Sequence, residues 1–186
     1  YDLVVVGGGP AGSSAAFAAA KNGIKVALIE KENNIAETVR TSGVTWIESI
    51  KEFGIPNDCY NPIKNFSFVS PNNQVTISDS VATAAVLDVR KTYQWLANEA
   101  EKIGVDIFVK TNINAVIKNE QNDIVGVSGI GVNGKIIFHA KVIIDATGFT
   151  STISKAMGFV TQWKRFGAGA EYEAKVENVD SETWWL

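Results

Sequence analysis

The sequence predicts an α/β fold: a parallel sheet with an antiparallel β-meander inserted into it, followed by the start of a second, mixed or antiparallel sheet. Three observations carry that expectation. Two short apolar runs, over 3–6 and 25–30, flank an Ala-rich helical stretch, which makes a βαβ unit of about 30 residues. Between Ile113 and Ala140, Asn122-Asp123 and Asn133-Gly134 separate three strand-like segments, the punctuation of a meander. A further buried-strand pattern at 141–145 then returns the chain to the sheet and stops at Ala146-Thr147-Gly148.

Each element follows from local chemistry. Residues 3–6 are continuously apolar and stop at glycines, as a strand buried on both faces does. Pro10 opens a helix to about Asn22, because its missing N–H costs nothing in the first turn, and Gly23 ends it. The spacing of Trp46, Ile47, Ile50 and Phe53 predicts a helix over 45–53 stopped by Gly54. Residues 57–62 read as irregular. Alternation over 65–70 and 74–78 around Pro71-Asn72-Asn73 predicts a hairpin. Val89, Tyr93, Leu96, Ala100 and Ile103 recur at helical steps and predict an amphipathic helix over 89–103 capped by Gly104. A strand at 105–109 precedes the meander, a short helix at 151–157 follows the return strand, and alternation over 166–176 predicts the first strand of the second sheet.

Composition excludes several classes. The 186 residues are 46% apolar and 20% charged, with a net charge of −3, so disorder, collagen and a coiled coil are set aside. No basic tract points to nucleic acid or to an anionic membrane surface. Residues 3–20 carry no charge, the length of a membrane span, but Gly7-Gly8-Gly9-Pro10 interrupts them and no basic stretch precedes them. A cytoplasmic protein without a transmembrane segment is expected, with membrane-peripheral contact open. Cys59 is the one cysteine and has no internal disulfide partner, which favours a reducing compartment. The start at Tyr1 without methionine and the stop at Trp184-Trp185-Leu186 suggest a piece of a longer chain.

Gly7-Gly8-Gly9-Pro10-Ala11-Gly12 spells G-x-G-x-x-G between a buried strand and a helix, the context in which that spelling binds a dinucleotide. Gly7 permits the tight turn, Gly9 lets backbone approach a pyrophosphate, and Gly12 lets helix and strands pack closely. The helix N-terminus then offers N–H groups and a positive dipole end to phosphate. Glu30, 18 residues beyond Gly12, ends the second strand where a carboxylate can accept from both ribose hydroxyls and repel a 2′-phosphate. A glycine turn without a ligand is the alternative.

Later features distinguish FAD from NAD. Arg40-Thr41-Ser42-Gly43 could set a cation, hydroxyls and backbone donors near a diphosphate or flavin edge, or be a helix cap with a solvated arginine. Arg90 lies in the first turn of the amphipathic helix, where a cation opposes the dipole unless an anion such as a cofactor phosphate sits nearby; pairing with Asp88 or in the neighbourhood of Glu101 is the alternative. Asp145-Ala146-Thr147-Gly148 ends a strand without bulky side chains, which suits close passage of a cofactor.

On these segments, with Ile29-Glu30-Lys31, residues 86–90, 143–148 and Ala170-Glu171-Tyr172-Glu173, the chain resembles the N-terminal part of FAD-dependent oxidoreductases with the glutathione-reductase-type, Rossmann-like fold. Within them it most resembles the geranylgeranyl reductase family. The resemblance implies that Gly7, Gly9, Ala11 and Gly12 hold the FAD pyrophosphate and that Glu30 meets the ribose, with Pro10 and Lys31 also among the cofactor-binding residues. It also implies that Arg90 holds phosphate, Ile113 contacts adenine through its backbone, Ala146, Thr147 and Gly148 line the cofactor, and Arg40, Thr41, Ser42 and Gly43 lie by the flavin. Thr41 and Ser42 stand where many members carry cysteine. The implied domains are an FAD-binding domain over 1–160, with 60–85 a candidate for the substrate region, and a substrate-binding β-sheet beginning at 161–186. The implied activity is flavin-dependent reduction of isoprenoid double bonds in lipid biosynthesis. Its substrate would be apolar or aromatic, a prenyl lipid among the candidates, and its partner a reductant or electron-donor protein. A flavin-dependent aromatic hydroxylase, or a catalytically inactive nucleotide-binding fragment, is the alternative. This chain alone is expected not to turn over, and no acid–base residue is identified.

Other tempting residues carry less. His139 is the one histidine, so neither a triad nor a metal cluster forms around it, and it reads as a strand-edge residue. Cys59 reads as structural. Trp163, Trp184 and Trp185 read as core, with pocket lining as the alternative.

Overall fold

The computed structural model describes residues 1–159, 165–172 and 174–186; Trp163 and Glu173 lie outside the described residues. The chain forms two compact units. The first takes Tyr1–Thr38 and Tyr93–Phe166, the second Val39–Thr92 and Gly167–Leu186. Residues 60–85 fall in the second unit.

Strand β1 (Leu3–Val6), helix α1 (Pro10–Lys21) and strand β2 (Val26–Ile29) form the expected βαβ unit. Gly9 starts α1 with extended backbone, and the N–H groups of Asn22 and Gly23 close its end on Ala19 and Ala20.

The chain then builds the second unit: β3 (Val44–Trp46), α2 (Ile47–Phe53), β4 (Tyr60–Ile63), β5 (Asn65–Val69), β6 (Gln74–Ser78) and β7 (Ala84–Leu87). Sequence reasoning departs from the structure at three of these. The helix expected from 45 starts at Ile47, because Val44 and Thr45 pair with Val86 and Ala85. Of residues 57–62, read as irregular, 60–62 belong with Ile63 to an edge strand against β7; Pro62 is tolerated there because an edge leaves one side of the ladder unpaired. Strand β7, unmarked in the sequence, is the centre of that three-stranded sheet, and its Ala84 and Ala85 are buried.

Helix α3 (Val89–Lys102) follows, then β8 (Asp106–Phe108), the meander β9 (Asn112–Lys118), β10 (Ile124–Gly131) and β11 (Gly134–His139), the return strand β12 (Val142–Asp145), α4 (Thr152–Ala156) and β13 (Thr183–Trp185). The described residues of 166–176 form no strand, contrary to expectation. Gly167 and Gly169 weaken the segment, and alternation without a partner edge does not make a strand: Phe166 and Tyr172 are exposed. The strand added late in the chain is β13, which pairs parallel with β5.

In the first unit the parallel sheet runs β12-β1-β2-β8. Alternate residues of its strands feed two cores. Val4, Val6, Ala27 and Ile29 pack with Ile113, Val127 and Phe138 of the meander and Ile153 of α4. Leu3, Val5, Val26 and Leu28 pack with Ala16 of α1 and Ala100 of α3. Burial on both faces is why these strands read as unbroken apolar runs. In the second unit, register puts Phe66, Phe68, Val75, Ile77 and Trp184 on one face of the β13-β5-β6 sheet. The other face carries the Ser67–Thr76 hydroxyl pair at 3.0 Å.

Among the described residues no helix is long and apolar enough to cross a membrane. Leu28 is fully buried in the central sheet. Leu28→Ala is expected to cost about 2–5 kcal/mol, read as a lower urea midpoint at unchanged slope.

Candidate functional site

The C-terminal ends of β1, β2 and β12 gather the first unit's candidate residues, at the sheet edge where open α/β folds bind ligands. Gly7 follows β1 with φ +112, a left-handed conformation, and its N–H donates to the Ile29 carbonyl at 2.8 Å. A Cβ at residue 7 would lie 2.2 Å from the Ala146 carbonyl oxygen, and one at residue 12 would lie 1.9 Å from the Gly7 carbonyl oxygen. At Gly9 a Cβ would meet nothing within 4 Å. Two of the three signature glycines are therefore demanded by internal packing, whereas the third faces open space. Beside it, the first-turn N–H groups of Ala11 and Gly12 have no acceptor within the helix, and Pro10 contributes none. That is a donor set and an open cradle suited to a diphosphate.

Glu30 continues β2 into this edge. Its Oε2 accepts the Gly8 N–H at 2.8 Å and its Oε1 accepts the Glu32 N–H at 2.9 Å. Its carbonyl accepts the Thr111 N–H at 2.9 Å. The carboxylate is thus held in one orientation, and each oxygen keeps capacity for a further donor such as a hydroxyl. The buried Ser13 hydroxyl donates to the Gly8 carbonyl at 3.2 Å, so Gly8 is held from both sides. Lys31 is exposed beside Glu30. The Ile113 side chain is in the core, and its backbone pairs with Gly129, two residues beyond Thr111.

Residues 146–148 lie across from the glycine loop, and Asp145 fixes them. Asp145 Oδ1 accepts from the Thr147 N–H at 3.1 Å and the Thr147 hydroxyl at 2.6 Å. Its Oδ2 accepts from the Ser154 N–H and the Ser154 hydroxyl, each at 2.7 Å. Thr147 Oγ1 in turn accepts the Thr152 N–H at 2.8 Å. Burial alone would raise the Asp145 carboxyl, but these hydrogen bonds outweigh it and hold the group below the ordinary carboxylate range. Gly148 turns the chain at φ +65.

The second unit holds the remaining candidates. Arg40, Thr41 and Ser42 are exposed, whereas Gly43 is buried at φ +78. The Gly43 carbonyl accepts the Leu87 N–H at 2.9 Å, and a Cβ at residue 43 would lie 2.7 Å from Val89 Cγ2. This ties the 40–43 segment to the end of β7, immediately before the helical turn that carries the exposed Arg90. In the same unit Lys91 pairs with the Asp58 carboxylate at 2.7 Å. Cys59 is buried, and burial followed by the Asp58 charge pushes its thiol up, the setting of an unreactive cysteine. His139 is exposed at the last position of β11. Trp184 packs edge-on against Phe66 at 5.9 Å, and Trp185 is exposed.

Sequence reasoning places Gly8, Ser13 and Asp145 within its motifs but assigns none of them a role of its own. The Asp-x-Thr spacing at 145–147 is the signal of a local turn that could have marked Asp145. Nothing in the sequence marks the Ser13 hydroxyl as a partner of Gly8.

The fold and the glycine edge define a dinucleotide-binding class of protein. The chain belongs to the FAD dependent oxidoreductase family, whose model matches residues 2–175. It is 36% identical over 187 residues to the digeranylgeranylglycerophospholipid reductase of Methanocaldococcus jannaschii, a match covering 97% of this chain and 47% of that one. A solved geranylgeranyl bacteriochlorophyll reductase-like structure from Thermoplasma acidophilum is 31% identical, with a TM-score of 0.76 over 85% of this chain and 42% of the other. The p-nitrophenol 4-monooxygenase of Pseudomonas putida shares the fold alone, at 20% identity and a TM-score of 0.71 over 84% of this chain and 43% of the other. The chain spans about half the length of the first curated relative it matches.

The glycines separate by experiment. Gly12→Ala is expected to destabilise the fold by about 3 kcal/mol, since backbone cannot yield to the added methyl. Gly9→Ala should leave the unfolding free energy from urea titration within about 0.5 kcal/mol of the parent, as a substitution clear of packing does, while weakening FAD binding. The Asp145 carboxylate predicts a pH dependence. Its folded value lies below its unfolded value, near 3.9, so its contribution is complete above that and is lost as pH falls through the folded value. Acid titration of stability should therefore show a shallower decline for Asp145→Asn than for the parent below about pH 4.

Proposed function

We propose that the chain binds FAD, with the pyrophosphate over Gly9, Pro10, Ala11 and Gly12, and that it serves flavin-dependent reduction of isoprenoid double bonds in a prenyl lipid. The 36% identity to a digeranylgeranylglycerophospholipid reductase is the observation that carries the substrate class. The open face at Gly9 beside the braced Glu30 carboxylate supports the cofactor reading.

Bound FAD supplies the redox chemistry, while the protein supplies position and exclusion of water. Glu30 accepts the ribose hydroxyls with the oxygen capacity that Gly8 and Glu32 leave. The first-turn N–H groups of α1 face the diphosphate, and Gly7 and Gly12 keep the loop close enough for them to do so. Arg90 and the Arg40–Gly43 segment carry positive charge and donors suited to an anionic cofactor. Lys31 and the Ile113 backbone lie on the adenosine side, and Ala146, Thr147 and Gly148 form the opposing wall. A reductant or electron-donor protein completes the reaction.

Two measurements test the reading. The purified chain should show flavin absorption bands or take them up from added FAD; a colourless protein that ignores FAD overturns it. Glu30→Ala should weaken FAD binding about tenfold or more, the worth of charged hydrogen bonds to two hydroxyls, and unchanged affinity rejects the ribose role. For substrate class, anaerobic reduction with a digeranylgeranyl lipid should give saturated product. Oxygen consumption stimulated by an aromatic compound would favour a monooxygenase instead.

A further inference from the structure

We infer that Asp145 is a positioning residue of the cofactor site: it holds the 146–148 turn against the glycine loop and so sets the width of the cleft that receives FAD. The inference rests on the FAD reading above.

Three observations meet at this carboxylate. First, it accepts four hydrogen bonds, two from Thr147 and two from Ser154, with each oxygen taking one N–H and one hydroxyl. Such saturation leaves it no donor-seeking oxygen to offer a ligand, which separates it from Glu30. Second, the turn it holds touches the loop directly. The Ala146 carbonyl oxygen lies 2.2 Å from where a Cβ of residue 7 would be, and the Ala146 methyl lies 3.2 Å from where a Cβ of residue 12 would be. Third, the backbone around it is already at the limit of what the chain adopts. Gly148 has φ +65 and Ser151 φ +45, so the path from β12 to α4 passes through two left-handed residues, one of them not glycine.

A left-handed non-glycine residue persists only where its surroundings over-determine it. The Asp145 network does so, joining residues 147, 152 and 154. When the carboxylate is lost, the turn between β12 and α4 is free to relax, and Ala146 no longer bears on Gly7. Ligand affinity then falls although no group that touches the ligand has changed.

Asp145→Asn tests this, because an amide keeps the shape but faces one pair of donors with its own NH₂. Four readouts are taken: FAD affinity by fluorescence titration, thermal midpoint without FAD, amide hydrogen exchange in the FAD-free protein, and visible circular dichroism of the FAD-loaded protein. The expected result is a loss of FAD affinity of about tenfold, the factor that one charge-assisted hydrogen bond is worth. Exchange should be faster at Gly7, Gly8 and Thr147, with the amides of β2 unchanged and the visible circular dichroism of bound flavin altered. Ser154→Ala, which removes one hydroxyl donor remote from the loop, should move affinity and exchange in the same direction by a smaller factor, and it decides the matter if the asparagine variant does not fold. Wild-type FAD binding with unchanged affinity and loop exchange in the folded variants overturns the role of Asp145 and leaves the FAD reading standing. A wild type that takes up no FAD overturns both.

Discussion

The structure depends on one steric constraint, the contact of three backbone segments at the carboxyl edge of the parallel sheet. There the Gly7 carbonyl occupies the place of a side chain on residue 12, and the Ala146 carbonyl occupies that of a side chain on residue 7. Only glycine at both positions lets helix, loop and return strand meet. From this contact follow the line of approach of α1 to β1, the position of β12 beside β1, and the placing of unpaired helix donors at the sheet edge. Gly9 is under no such demand, and its open side is where the constraint turns from packing to recognition.

Around that contact the polar groups are arranged as braces. Glu30 holds Gly8 and Glu32, Ser13 holds Gly8 from the other side, and Asp145 holds Thr147 and Ser154. The two carboxylates differ in what they have left. Glu30 has acceptor capacity to spare and sits at a strand end, as a ribose partner needs, whereas Asp145 is filled by donors of its own chain. A carboxylate at a strand terminus is therefore not by itself a ligand contact; the hydrogen bonds already made decide which it is.

How far the sequence could be read depended on where burial came from. Strands β1 and β2 are covered on both faces, so every residue is apolar and the pattern is visible in the chain alone; β12, which reads the same way, is an edge strand with Val142 exposed. Helix α3 and the meander were legible for a different reason, through helical period and turn residues. The second unit was less so. Tyr60-Asn61-Pro62-Ile63 has no strand signature and becomes one because Ala84–Leu87 offers it an edge. Residues 166–176 alternate well, yet the described ones form no strand, while Thr183–Trp185 does, by pairing with Asn65–Ser67. A strand is a property of two segments, and a sequence pattern reports on one.

The sequence by itself determined the α/β class, the glycine loop with its acid at the end of β2, and the identity of the strands buried on both faces. Each of these is written in the spacing of residues near in the chain. Tertiary structure alone decided that Gly7 and Gly12 serve packing while Gly9 is open, that Ser13 and Glu30 close on Gly8, and that Asp145 is filled by Thr147 and Ser154. Those distinctions arise from atoms brought within hydrogen-bond or van der Waals distance by the closing of the sheet, and local spacing does not specify such distances.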